Sequence, residues 1–224
     1  MAPGAVRVFP LDLDPPADVA RRLVELLPAG ERDAPAPIRI ARATTRLLLA
    51  ETLGVEPHRV VISRVCARCG HPTHGRPTVA GTGAAAVSFS VSHSGTFGVV
   101  ALAAGDRRIG VDVEAVRPRS RLDALADRVL GAEEHAAWRA LDDPDVRLRA
   151  FLRAWTAKEA YLKALGIGIT TLLRDVPMRV DGWTTRALDL GPACVSVLAV
   201  DTTGIDVTFG VAPVLATTNG GTAR

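Results

Sequence analysis

The chain has 224 residues, 48% hydrophobic and 23% charged, with a net charge of +3, which is ordinary globular material for one sizeable domain or two small packed halves. The mild positive bias suits an acidic partner or a phosphate-bearing ligand, but with no aromatic–basic stripe it argues against nucleic acid. The longest apolar run, residues 97–104, is far short of the roughly 20 residues of a membrane span, and three cysteines make no disulfide framework.

The N-terminus, MAPGAVRVFPLDLDPP, lacks the basic start and apolar stretch of a signal peptide, so a cytoplasmic protein is expected. Residues 38–53 carry apolar positions at helical spacing and stop at Gly54. Residues 60–65 read as a short strand, and 66–83, rich in Gly, Pro, Thr and His, as loop. Residues 87–91 alternate apolar residues with serines, the period of a half-buried strand. Ser94-Gly95 predicts a turn into a second strand over 97–103, and 108–114 alternates again. Helices are predicted near 120–130 and 132–141, and the longest over 145–165, ended by Gly166. Short strands are expected at 174–182, 184–190, 193–200 and 205–214. The expected organisation is α+β in two similar halves, 1–105 and 106–216, with a disordered tail over 217–224.

In RIGVDVEAV, Ile109, Val111 and Val113 point one way and Gly110, Asp112 and Glu114 the other. Asp112 and Glu114 are then neighbours about 7 Å apart, and like charges there repel unless a cation lies between them. Hard oxygen ligands of this kind suit magnesium. The alternative is a solvated edge strand whose charge is softened by Arg108 and Arg117.

The helix over 145–165 turns by about 100° per residue. With Glu159 set at zero, Leu148 falls at about −20° and Leu152 at about +20°. Trp155 then falls at about −40° and Leu162 at about −60°. Glu159 thus lies inside the apolar stripe, where a carboxylate must be paired, protonated or bound to metal. An i,i+4 ion pair with Lys163 is the simpler reading, but it describes a wet helix face. Lys163 flanks Glu159 at about +40° and Lys158 at about −100°. These are the only two lysines among 27 basic residues, which suggests that both positions require an ammonium group.

SVSHSG sets Ser92 and His93 at a strand end. The G-x-S-x-G elbow of serine hydrolases is absent, and a lone Ser-His pair is also ordinary turn chemistry. Upstream, Cys66, Cys69, His71 and His74 form a C-x2-C-x-H-x2-H cluster that could hold zinc, with tighter spacing than usual fingers. In Gly75-Arg76-Pro77, the Arg76 fork matches a phosphate.

Taken together, GRP, VSHSG, GVDVE and WTAKEAYLK, in that order, resemble the 4′-phosphopantetheinyl transferases, over about residues 30–210. The longer, pseudo-dimeric type that activates polyketide and nonribosomal peptide synthetases fits best. The resemblance implies a pair of similar α+β halves with the site in the cleft between them. It implies transfer of phosphopantetheine from coenzyme A to a serine of an apo acyl or peptidyl carrier protein, releasing adenosine 3′,5′-bisphosphate, by a cytoplasmic monomer. Asp112, Glu114 and Glu159 would hold magnesium, with manganese able to substitute. Glu159 would be the base, and Lys163 and Lys158 would neutralise the leaving phosphate. Arg76, Ser92 and His93, together with Asp112, Lys158, Lys163 and Arg32, would bind coenzyme A, Arg32 matching the family's early phosphate-binding base. It leaves the Cys66–His74 cluster unexplained. Two other readings share parts of the pattern: a different magnesium-dependent enzyme on phosphate esters, and a non-catalytic interaction module built on zinc.

Overall fold

The computed structural model describes residues 4–64, 70, 75–80, 87–167 and 172–213. Its elements, in chain order, are β1 (Ala5–Asp12), α1 (Ala17–Glu25), α2 (Ala36–Leu53), β2 (Ile62–Arg64), β3 (Pro77–Val79), β4 (Val87–Ser94), β5 (Phe97–Ala104), β6 (Ile109–Ala115), α3 (Leu122–Val129), α4 (Ala132–Arg139), α5 (Pro144–Leu165), β7 (Thr184–Leu188), β8 (Cys194–Val200) and β9 (Asp206–Phe209). The mixture of helices and sheets is α+β, as expected.

Local chemistry sets the boundaries. In α5 the Asp143 carboxylate accepts from the amides of Asp145 and Val146, Pro144 occupies the first turn, and Gly166 closes the helix in the left-handed region at φ 71°. Between β4 and β5 the chain reverses over Gly95-Thr96, bringing Ser94 opposite Phe97.

Two sheets result. The first has the order β4-β5-β1-β9, the second β6-β8-β7, and β2 and β3 form a small separate ribbon. Helices α1 and α2 cover the first sheet through Leu23, Leu27, Ile40 and Leu48 against Phe9, Phe89 and Leu102. Between the two sheets lie Val6, Val8, Val99 and Ala101 from the first and Ile109, Val111, Val113 and Leu198 from the second. The small side chains Ala157 and Ala160 of α5 meet Val197 and Ala199 of β8 on the far face of the second sheet. The last strand among the described residues, β9, lies in the first sheet, parallel to β1.

Several expectations are corrected here. Residues 174–182 hold no strand: a 3₁₀ turn over Leu173–Asp175 buries Leu173, and Val176 is buried beside it, under the α3–α5 cluster. Residues 77–79, assigned to loop, pair with β2. The first thirty residues contain a strand and a helix that periodicity did not reveal. Pro10 interrupts the signal of β1, and it is tolerated because the β9 pairing ends at Val8. The serine face of β4 is not solvated: Ser88, Ser90, Ser92 and Ser94 are all buried. The stretch over 217–224 lies outside the described residues.

Candidate active site

The buried serines join the two sheets. Strands β4 and β6 are edges of their sheets, and the amides of β6 find side-chain partners on β4. Val111 N donates to Ser90 Oγ at 3.0 Å, Val113 N to Ser92 Oγ at 3.3 Å, and Ala115 N to Ser94 Oγ at 3.1 Å. A hydroxyl that accepts an amide still has a proton to donate. Ser92 Oγ donates to Asp112 Oδ1 at 2.7 Å and Ser94 Oγ to Glu114 Oε2 at 2.9 Å. The ladder that satisfies the β6 edge therefore also orients both carboxylates.

Helix α5 supplies the third. It approaches β6 at Gly110, where an added Cβ would overlap the carbonyl oxygen of Ala160 and lie 2.7 Å from the amide nitrogen of Ala164. This close seat brings Glu159 over the same face of β6 as Asp112. Burial, and next to it the Asp112 charge, push the Glu159 carboxyl up to about 7, with Lys163 opposing and Glu114 adding to the rise. Burial likewise raises Asp112, against the pull of Lys163 and Ser92. Lys163 Nζ donates to Asp112 Oδ1 at 2.6 Å and to Ser92 Oγ at 2.8 Å. Glu114 Oε2 also accepts from Arg119 at 2.7 Å.

Asp112, Glu114 and Glu159 are thus brought to one face, but not as a ready-made cage. Among the described residues no group of three or more His, Cys, Asp or Glu is gathered to hold a metal. Two of the carboxylate oxygens, Asp112 Oδ2 and Glu159 Oε1, are buried with no hydrogen-bond partner among the described residues. Unpaired buried oxygens of raised pKa, from hard donors on facing elements, fit a divalent cation.

Beside the carboxylates lies a cavity of about 350 Å³. Lys163, His93, Arg76, Arg42 and Arg64 all line it, so it is suited to anions. His93 is exposed at its rim, and burial, followed by the charges of Lys163 and Arg42, holds its imidazole below the ordinary range. Arg76 packs against Gly166, where a Cβ would lie 3.0 Å from its own Cβ. Its guanidinium donates to the Arg107 carbonyl and to Asp106.

Three sequence-predicted site residues stand elsewhere or differently. Lys158 is fully buried and turned away, donating to the Val129 carbonyl at 2.7 Å and to Glu134 Oε2 at 2.5 Å. Arg32 is tied to the carbonyls of Leu27 and Glu25 and does not line the cationic cavity. Ser92 is bonded to Asp112 and Lys163 rather than presented to a ligand, and the Trp155 stripe leaves that side chain half-buried. Cys66, Cys69, His71 and His74 lie outside the described residues. Sequence reasoning missed Arg42 and Arg64. In a chain whose bases are nearly all arginine no single arginine stands out; the available signal was that Arg42 precedes the buried Arg46 by one turn of α2.

Residues 108–208, which carry all three carboxylates and both lysines, match the family model described as the 4′-phosphopantetheinyl transferase superfamily. The chain is 36% identical over 132 residues to the 4′-phosphopantetheinyl transferase HetI of Nostoc sp., covering 58% of this chain and 52% of that protein. It is 34% identical over 136 residues to the 4′-phosphopantetheinyl transferase AcpT of Salmonella typhimurium, 59% of this chain and 64% of the other. Against the L-aminoadipate-semialdehyde dehydrogenase-phosphopantetheinyl transferase of Xenopus laevis it is 29% identical over 157 residues, 66% of this chain and 49% of the relative. The chain therefore spans between about half and under two thirds of the length of these three relatives.

Proposed function

We propose that the chain, whose residues 108–208 match the 4′-phosphopantetheinyl transferase superfamily, is a member of it and transfers the 4′-phosphopantetheine group of coenzyme A to a serine of an apo acyl or peptidyl carrier protein. Adenosine 3′,5′-bisphosphate is the second product. The observation that supports this reading best is the pair of buried oxygens, Asp112 Oδ2 and Glu159 Oε1, that find no partner among the described residues, next to a cavity lined by Arg42, Arg64, Arg76 and Lys163. A bisphosphorylated nucleotide joined through pyrophosphate needs both halves of that arrangement.

A divalent cation held by Asp112, Glu114 and Glu159, magnesium or in its place manganese, supplies charge neutralisation on the pyrophosphate and a template for the displacement. Glu159, whose carboxylate the cation would keep ionised, takes the serine proton directly or through a water. The serine oxygen bonds to the β-phosphorus of coenzyme A as the bond from that phosphorus to the nucleotide's bridging oxygen breaks. Lys163, 2.6 Å from Asp112, is placed to stabilise the charge that builds on the leaving group. Arg42, Arg64, Arg76 and His93 hold the nucleotide phosphates. Lys158 and Arg32 take no part in contacts with substrate in this reading.

We also read the two helix-covered sheets as the cores of the two similar halves of the longer, synthase-activating type, residues 1–105 and 106–216, the second half lending β9 to the first sheet, with the cationic cavity in the cleft between them. The protein would act as a cytoplasmic monomer, and no helix among the described residues is long and apolar enough to cross a membrane. The decisive experiment incubates the protein with coenzyme A, magnesium and apo-carrier and records intact mass. One added phosphopantetheine per carrier, with adenosine 3′,5′-bisphosphate released, is expected. No mass gain on either acyl or peptidyl carriers would sink the proposal.

A further inference from the structure

We propose that Lys158 is a positioning residue, which fixes the rotation of α5 about its own axis and so aims Glu159 at Asp112; the inference rests on the transferase reading above. The Lys158 side chain is 0% exposed, so no substrate reaches it. Its Nζ donates to the carbonyl of Val129, at the end of α3, and to Glu134 Oε2 in the first turn of α4. That same Oε2 accepts the Gly131 amide at 2.9 Å and caps α4. One ammonium thus ties α5 to the junction of two other helices.

Stability alone does not account for the charge. A buried ion pair is commonly no more stabilising than apolar side chains of similar volume, because both ions lose their hydration. What an ion pair adds is direction. Glu159 stands between two fixed points: Lys158 is pinned to α3 and α4, and Ala160 is seated by its backbone on Gly110 of β6. Successive residues on a helix are separated by about 100°. Anchoring residues 158 and 160 on different elements therefore defines where 159 points. Without the Lys158 anchor, α5 keeps its seat on β6 but gains freedom to roll, and a carboxylate misplaced by about 1 Å loses on the order of a hundredfold in rate.

The test compares Lys158→Met, Glu134→Gln and the double variant in the full chain, with coenzyme A, magnesium and apo-carrier. For Lys158→Met, kcat is expected to fall about ten- to a hundredfold while KM for coenzyme A is unchanged. The double variant should be no worse than Lys158→Met, since the two residues act as a unit. A second readout needs no turnover: manganese binding followed by electron paramagnetic resonance, without coenzyme A, should weaken in Lys158→Met because one carboxylate is no longer aimed. A raised KM with kcat intact would mean that Lys158 meets the substrate, and overturns the proposal. Should Lys158→Met not fold, Glu134→Ala, which removes the acceptor, decides, and a normal kcat in that variant is equally fatal. If the wild type transfers nothing, the transferase reading fails, and the manganese titration still tests Lys158.

Discussion

The ammonium of Lys163 lies 2.6 Å from Asp112 Oδ1, so α5 provides the counter-ion of a buried carboxylate on β6. That contact binds the helix to the sheet, and in the proposed reaction it also stands where positive charge would be needed. Lys163→Met should therefore cost the metal-free protein about 1–3 kcal/mol. That is less than the roughly 3–5 kcal/mol for breaking a fully buried pair, because the Lys163 side chain is 32% exposed. Millimolar magnesium should raise the melting temperature of the variant more than that of the wild type, the cation taking over as counter-ion. Equal shifts in thermal unfolding would argue that no cation reaches Asp112. In the wild type, transfer should stop on chelation and return with magnesium or manganese.

Glu159 links folding to pH. Its carboxyl is raised from its ordinary 4.5 to about 7, so between those values the folded protein holds a proton that the unfolded chain releases. The stability this contributes is fully present below about 4.5 and is lost as pH rises through about 7. Asp112, also raised, acts in the same sense. His93, lowered by burial and by its cationic neighbours, acts in the opposite sense, so the measurement belongs in a His93→Ala background. Melting temperature in chelator should decline across this window, and Glu159→Gln should remove most of the decline. Glu159→Gln should also lower turnover by roughly two orders of magnitude while remaining folded. An unaltered pH dependence in that variant would show that Glu159 does not hold the proton.

His93 separates nucleotide binding from scaffold. A charged hydrogen bond to phosphate contributes roughly 1.5–3 kcal/mol, or about ten- to a hundredfold in binding. His93→Ala should raise KM for coenzyme A by about that factor and barely affect dephospho-coenzyme A, which lacks the 3′-phosphate. Because burial, and then the charges of Lys163 and Arg42, lower the His93 pKa from its ordinary 6.5, the preference of the wild type for coenzyme A should fade as pH rises through the range below 6.5. An equal loss on both substrates would leave His93 an ordinary turn histidine.

Gly110→Ala tests the seat of α5. The new methyl would overlap the Ala160 carbonyl and crowd the Ala164 amide, both backbone atoms that cannot rotate away. Overpacking typically costs about 1–3 kcal/mol, and here either helix or strand must shift. The variant should lose both stability and turnover, seen by denaturant unfolding and by carrier mass. A wild-type melting curve would mean that the helix is not held so closely.

Much of this site was legible because it is written in local periods. The alternation over 109–114 set Gly110, Asp112 and Glu114 on one face, and the helical stripe over 145–165 isolated Glu159. What the periods do not carry is which neighbour each face meets. Ser88, Ser90 and Ser92 read as the wet face of a half-buried strand, yet β6 covers Ser90 and Ser92 and the turn before it covers Ser88. Lys158 and Lys163 looked like a pair, but at opposite flanks of Glu159 one faces α3 and α4 and the other faces β4 and β6. Arg42 and Arg64 converge with Arg76 and His93 from separate elements, a gathering that exists only after folding.

Strand β9 pairs with β1 in parallel, joining Asp206 to Ala5. In a growing polypeptide the first strand is therefore complete long before its neighbour on that side has been synthesised. Pairing between such distant segments pays a large loop-closure entropy and tends to form late. Until residues 206–209 emerge from the ribosome, β1 has an open edge, and the Phe9 ring, which packs where a Cβ on Gly210 would stand, lacks that cover. Chaperone demand during synthesis, and sensitivity to truncation near residue 206, follow from the strand order alone.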